Sequence, residues 1–149
     1  VIGQFEVTLE KVVALAILMP IVAGIGGNAA VQVLTLMVRG LALGQVGPSN
    51  ARILLWKELR VALINGVLIG SIVGLIAWAW FGSLLLMLVI TLALITNFCA
   101  AALAGVLLPL LLKRMNVDPA VAGTVVVTAV TDVIGFFSFL GLATAIMLQ

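Results

Sequence analysis

Four long apolar runs, separated by short polar or glycine-containing breaks, limit what this chain can become more than any other feature. They cover residues 12–43, a run from a cap at Ser49 or Asn50 through Phe81, residues 84–112 and residues 119–148. About 20 apolar residues suffice to cross the ~30 Å hydrocarbon core, so each run is long enough to span it. With every backbone polar group obliged to find an internal partner in lipid, spans of this length fold as helices. The chain is therefore read as an all-α integral membrane helical bundle. Charged residues make up 8% of it and hydrophobic residues 65%, whereas soluble domains carry about 25% charged residues.

The breaks and internal signals refine that reading. The first run contains Pro20, Gly24, the Gly26-Gly27-Asn28 segment and Gln32, which predict a tilted helix kinked at proline and glycine. Residues 44–50 read as a loop, and Ser49 or Asn50 is placed to cap the second helix. That helix opens with Arg52, Lys57, Glu58 and Arg60, and Trp56, Trp78 and Trp80 fall near its ends like an interfacial aromatic belt. Gly66, Gly70 and Gly74 recur every four residues, a groove that lets a neighbouring helix approach closely. In the third helix Asn97 reads as an interhelical hydrogen bond ahead of a pore lining. Asp118 followed by Pro119 is the start signal of the fourth. Arg39, Arg52, Lys57, Arg60, Lys113 and Arg114 all fall on one side of this arrangement and Lys11 on the other, which orients the basic side inward and both ends outward. Residues 1–3 read as the tail of a preceding apolar span, and the chain as a fragment of a longer protein.

Asp132 is the exception inside this apolar material. An ionisable group within a span is costly and marks a substrate or ion path by default. On a helix, Thr124, Thr128, Thr131 and Gly135 share its side. Opposite it, Pro20 frees the carbonyl of Ala16, and the paired glycines before Asn28 are expected to loosen the backbone. The expected lining is thus Ala23, Gly24, Gly26, Gly27, Asn28, Gln32, Thr124, Thr128, Thr131 and Gly135, with Asp132 as the metal ligand.

What is absent from the composition narrows the chemistry. The chain has no histidine and one cysteine, Cys99, so no Ser/His or Cys/His pair exists for nucleophilic catalysis. Zinc or copper would want imidazole or thiolate. One carboxylate, amides, hydroxyls and carbonyls form a hard-oxygen set suited to Mg2+ or Ca2+. No basic-aromatic pattern suggests nucleic acid. The chain is not read as an enzyme. A single carboxylate balances a divalent ion poorly, and a two-fold homodimer would bring two to one site.

Together, Pro20, Gly26-Gly27-Asn28, Gln32, Asp118-Pro119-Ala120 and Thr131-Asp132-Val133-Ile134-Gly135 resemble the MgtE magnesium channel family. The likeness covers essentially the whole chain and departs from the family pattern at Ala30 and Val31. It implies a transmembrane pore domain over residues 1–149, with its first span largely missing and the cytoplasmic N-terminal and CBS sensor domains absent. It further implies a homodimer in the bacterial inner (plasma) membrane, with a pore at the dimer interface that conducts hydrated Mg2+. On this likeness Asp132 takes the place of the pore aspartate, and Gly26, Gly27 and Asn28 that of the pore segment. The alternative is a cation- or proton-coupled divalent cation transporter, and a membrane scaffold without transport ranks below both.

Overall fold

A computed structural model describes residues 1–148. A single 3-10 turn, Ile2–Phe5, leads into a short helix α1, Glu6–Lys11, and then into four long helices: α2, Val13–Ala42; α3, Ala51–Phe81; α4, Leu84–Arg114; and α5, Pro119–Met147. All four long helices are apolar enough to cross a membrane, and at 1.5 Å per residue each is roughly 45 Å long. The expected all-α membrane bundle is observed. Asp118 accepts from the backbone N–H of Ala120 at 2.9 Å with Pro119 at the first turn of α5, and Ser83 accepts from Leu86 at 3.2 Å to open α4. Gly82 closes α3 at φ 67°, a left-handed conformation in which a Cβ would be strained.

Two local expectations are corrected. Asn50 precedes α3 but its side chain does not cap it. It accepts from Gly47 and donates to the Gln45 carbonyl at 2.7 Å, tying the loop to itself. Ahead of α2, Ile2–Phe5 turns, and α1 lies against the far end of α5. There Thr8 and Thr144 share a hydrogen bond of 2.8 Å, and Phe5 stacks edge-on against Phe137 at 6.0 Å. Finally, α2 runs as one helix through Pro20 and the Gly26-Gly27 pair. Its neighbours hold the backbone helical where sequence alone suggests loosening.

The hub is α4, which packs on α2, α3 and α5, whereas α3 touches α4 and little else. The reason lies in which faces carry small residues. Gly66, Gly70, Gly74 and the alanines at 62 and 77 are the apolar or small positions that α3 buries. A Cβ at Gly66 would lie 2.9 Å from the Ile95 Cα, and one at Gly70 3.1 Å from the Thr91 carbonyl. That closeness lets the Thr91 hydroxyl bridge to the Gly70 carbonyl at 3.0 Å while also bonding its own Met87 carbonyl at 2.8 Å. The rest of α3 (Ile64, Leu68, Ile72, Leu75) faces outward, as a lipid-facing surface would.

Gly66→Ala is expected to destabilise the bundle by about 1–3 kcal/mol, because backbone lies in the way of the added methyl. Gly24→Ala has open space at its Cβ and gains helix propensity worth ~0.5–1 kcal/mol. Thermal unfolding in detergent should lower the midpoint for the first variant and leave or raise it for the second. Equal midpoints would refute the close α3–α4 contact.

Candidate functional site

The core of the α2–α4–α5 unit falls into two apolar clusters with a polar layer between them. One cluster gathers Leu15, Leu18 and Val22 with Leu86, Ile90, Leu94, Phe139 and Leu140. The other gathers Ala30 and Leu34 with Ala101, Ala104 and Val127. Between them in sequence on each helix stand Gly26 on α2, Asn97 on α4 and Gly135 on α5. Asn97 is fully buried and donates from Nδ2 to the Val22 carbonyl at 3.0 Å, while its Oδ1 has no partner among the described residues. A Cβ on Gly135 would come within 2.6 Å of the Asn97 amide, and one on Gly26 would overlap it. The amide therefore occupies the space that two glycines vacate.

Gly26 and Gly135 are thus not free to line a path on the outer face of α2 and α5, because Asn97 fills the volume beside both. Thr131 is also fully buried; its hydroxyl donates to Val127 at 3.1 Å and Thr128 at 3.0 Å. The polar side of α5 that sequence reading treats as one face divides in two. Gly123, Val127, Thr131 and Gly135 turn into the bundle, and Thr124, Thr128 and Asp132 form the adjacent, more open stripe.

That open stripe runs beside α2 in antiparallel register. Gly123 abuts Leu34, and a Cβ on Gly27 would lie 3.7 Å from Thr128 Cγ2 and 4.0 Å from Thr131 Oγ1. Thr124 and Thr35 share one shallow groove nearer the loop end of this pair. Carrying the register one turn past Thr128 brings Asp132 to the level of Ala23 and Gly24. Gly24 and Asn28 are exposed, Ala23 and Asp132 half-buried, and Gly24 has open space at its Cβ. The exposed Pro20 lies one turn further along α2, on the same side as Gly24 and Asn28.

The chemistry of this face is that of an acceptor surface. Asp132 makes no hydrogen bond or ion pair with any described residue, since no basic nitrogen lies within 4.0 Å of a carboxylate oxygen among them. The Thr128 hydroxyl donates its proton to the Thr124 carbonyl at 2.9 Å and the Val125 carbonyl at 3.0 Å, leaving oxygen lone pairs outward. Among the described residues no three His, Cys, Asp or Glu side chains converge to hold a bare metal. The chain therefore offers a carboxylate, a hydroxyl oxygen and an amide within about one helical turn of each other along the α2–α5 face, a set fitted to the waters of a hydrated cation.

Gln32, exposed one turn beyond Asn28, has a second neighbourhood. It lines a cavity between α2, α3 and α4 together with Glu58 and Asn65. Sequence reading missed Glu58 as a buried group, placing it among the charges that open α3. Its signal was available: Glu58 lies four residues before Ala62 and eight before Gly66, on the stripe that α3 buries.

Residues 19–142 match the MgtE family, described as divalent cation transporter. The chain is similar to the magnesium transporter MgtE of Thermus thermophilus, 36% identical over 144 residues, which is 96% of this chain and 32% of that protein. It is likewise similar to the magnesium transporter MgtE of Bacillus subtilis, 30% identical over 145 residues, 97% of this chain and 32% of that protein. The same name belongs to a relative from Enterococcus faecalis, 30% identical over 146 residues, 98% of this chain and 32% of that one. The chain spans about a third of the length of the curated relatives it matches.

The polar layer makes a prediction of its own. Gly135→Ala should cost about 1–3 kcal/mol by overpacking against Asn97. In an Asn97→Ala background the same change should be nearly free, a coupling of ~0.5–3 kcal/mol for residues in contact. A double-mutant cycle of unfolding midpoints measures it, and equal costs in both backgrounds would show that Asn97 does not occupy this junction.

Proposed function

The chain belongs to the MgtE family of divalent cation transporters, and on that premise we propose that it is the transmembrane pore domain of a magnesium channel. Two copies pair with their open α2–α5 faces together, and hydrated Mg2+ passes between them. The observation that carries this reading is Asp132: a half-buried carboxylate within an apolar helix, unpaired, on a face that also presents Gly24, Asn28 and Thr128.

Physical chemistry orders the parts. Magnesium dehydrates reluctantly and usually keeps several waters, so the ligands it meets are acceptors for water protons. Asp132 and Thr128 Oγ1 supply such acceptors, and the small residues at Ala23 and Gly24 leave room for a hydrated ion. One carboxylate leaves half of a divalent charge unbalanced. A two-fold axis beside Asp132 brings a second carboxylate without any further acidic residue, and closed two-fold dimers are the commonest assemblies. Thr124, nearer the loop end, continues the polar lining toward the basic side. Gly27 and the buried Thr131 act behind this surface, fixing how closely α5 sits on α2. The relatives named magnesium transporters lend the ion's identity; their additional length is where the sensor domains of the full protein would reside.

Asp132→Ala in the full-length protein, reconstituted in liposomes with an interior magnesium dye, should lower the Mg2+ flux by about tenfold or more, since ~1.4 kcal/mol of lost ion contact already gives a factor of ten. Asp132→Asn should fall similarly, because it keeps the shape and removes the charge. The wild-type flux should follow the Mg2+ gradient alone and ignore imposed proton or sodium gradients. Undiminished flux in both variants would reject Asp132 as the ion's ligand, and flux driven by a proton or sodium gradient would replace a channel with a coupled transporter.

A further inference from the structure

Because α3 packs on α4 and makes little direct contact with α2, α2 and α3 flank a lateral cleft floored by α4. Its deeper part is a cavity of about 130 Å3 with Gln32, Asn65 and Glu58 in its walls against Phe98 and Ala102. Its outer part, about 340 Å3, holds Arg39, Lys57 and Gln45, with Glu58 again in the wall. Glu58 is 8% exposed, and it makes no hydrogen bond or ion pair with any described residue, although two cations line the same cleft. The Glu58 carboxylate is not sealed in the core, where Asn97 Oδ1 is the buried atom left without a partner among the described residues; it opens onto the cleft, where a charged occupant can meet it.

The depth and the lining describe that occupant. Arg39 sits in the last turn of α2, and Lys57 near the start of α3, beside Trp56, which is 56% exposed. Aromatic and basic side chains at helix ends mark the headgroup level of a bilayer, and basic pockets between spans on this side hold lipid headgroups. Leu36, Leu43 and Leu54 complete the outer walls, an apolar edge along which an acyl chain can lie. A purely anionic headgroup would satisfy Arg39 and Lys57 but leave Glu58 opposed by a phosphate. A lone metal ion would satisfy Glu58 and repel both bases. A molecule with a phosphate and a primary amine a few bonds apart satisfies all three.

We propose that the α2–α3 cleft is a binding site for an amine-bearing zwitterionic phospholipid of the phosphatidylethanolamine class, with its phosphate held by Arg39 and Lys57 and its ammonium by Glu58. The ammonium donates charge-assisted hydrogen bonds to the carboxylate, and the exposed Gln32 and Asn65 amides border the same cleft. Glu58 and Lys57 belong to α3, away from Asp132, whereas Arg39 also borders the groove that holds Thr124; the Glu58→Gln arm of the test therefore does not depend on the ion path.

The test is native mass spectrometry of the full-length protein, delipidated in mild detergent and titrated with dioleoyl phosphatidylethanolamine, phosphatidylcholine or phosphatidylglycerol. The wild type should retain phosphatidylethanolamine about tenfold more tightly than phosphatidylglycerol, the scale of one charge-assisted contact. Phosphatidylcholine, whose quaternary ammonium cannot donate a hydrogen bond, should bind more weakly than phosphatidylethanolamine. Glu58→Gln should abolish the preference over phosphatidylglycerol, and Arg39→Gln with Lys57→Gln should weaken retention of all three. Equal wild-type retention of the three lipids would overturn the proposal without recourse to any variant. So would a preference that survives Glu58→Gln, or thermal stabilisation by an alkali or divalent cation alone that Glu58→Gln removes.

Discussion

The bundle depends on a place where three helices come closer than side chains ordinarily permit. Asn97 needs the missing Cβ atoms of Gly26 and Gly135 to stand where it does. In return it ties α4 to the α2 backbone through the Val22 carbonyl. Between lipid-embedded helices there is no hydrophobic drive to associate, and close packing with interhelical hydrogen bonds does the holding. The layer also has a cost, the unpartnered Asn97 Oδ1, of a kind worth about 1–3 kcal/mol when a buried polar atom goes unmet. Apolar clusters on either side confine that cost to one level of the bundle.

That level is also where Asp132 emerges on the outer flank of α5, and the two facts are connected. Asn97 fixes α2, α4 and α5 against one another, and Gly27 lets α5 sit directly on α2 beside it. The carboxylate is then held beside Gly24 by rigid helices rather than loops, which is what a path for a hydrated ion requires of its ligands. A mobile carboxylate at this depth would turn to the nearest donor, and none of the described basic side chains reaches it.

How much of this was legible in the sequence depended on whether the signal was local. The four spans, the Asp118-Pro119 start of α5 and the Gly66-Gly70-Gly74 groove were legible because length, capping chemistry and four-residue spacing act within one helix. Asn97 as an interhelical bond was legible in kind, since a buried amide in a span has few other uses, but its glycine partners on two other helices were not. Helical spacing put Thr124, Thr128, Thr131, Asp132 and Gly135 on one side of α5, and only the position of α2 and α4 could say which of them turn inward. Gln32 shows the same limit: it is exposed one turn beyond Asn28 and also borders the cavity between α2, α3 and α4, a second neighbourhood that spacing along one helix could not reveal. Glu58 was hidden by company, because the charges around it made a solvated face the ordinary reading.

Asp132 and Glu58 therefore set out two different uses of an acid in one membrane protein. Asp132 stands among hydroxyls, an amide and glycines with no described base in reach, so a cation that meets it is attracted without local competition. Glu58 stands in a cleft that Arg39 and Lys57 also line, so a free cation approaching it is opposed by two positive groups. Arg39 borders both the α2–α3 cleft and the groove that holds Thr124, so a base stands at the loop end of either flank, while Asp132 lies farther along α5 from that end.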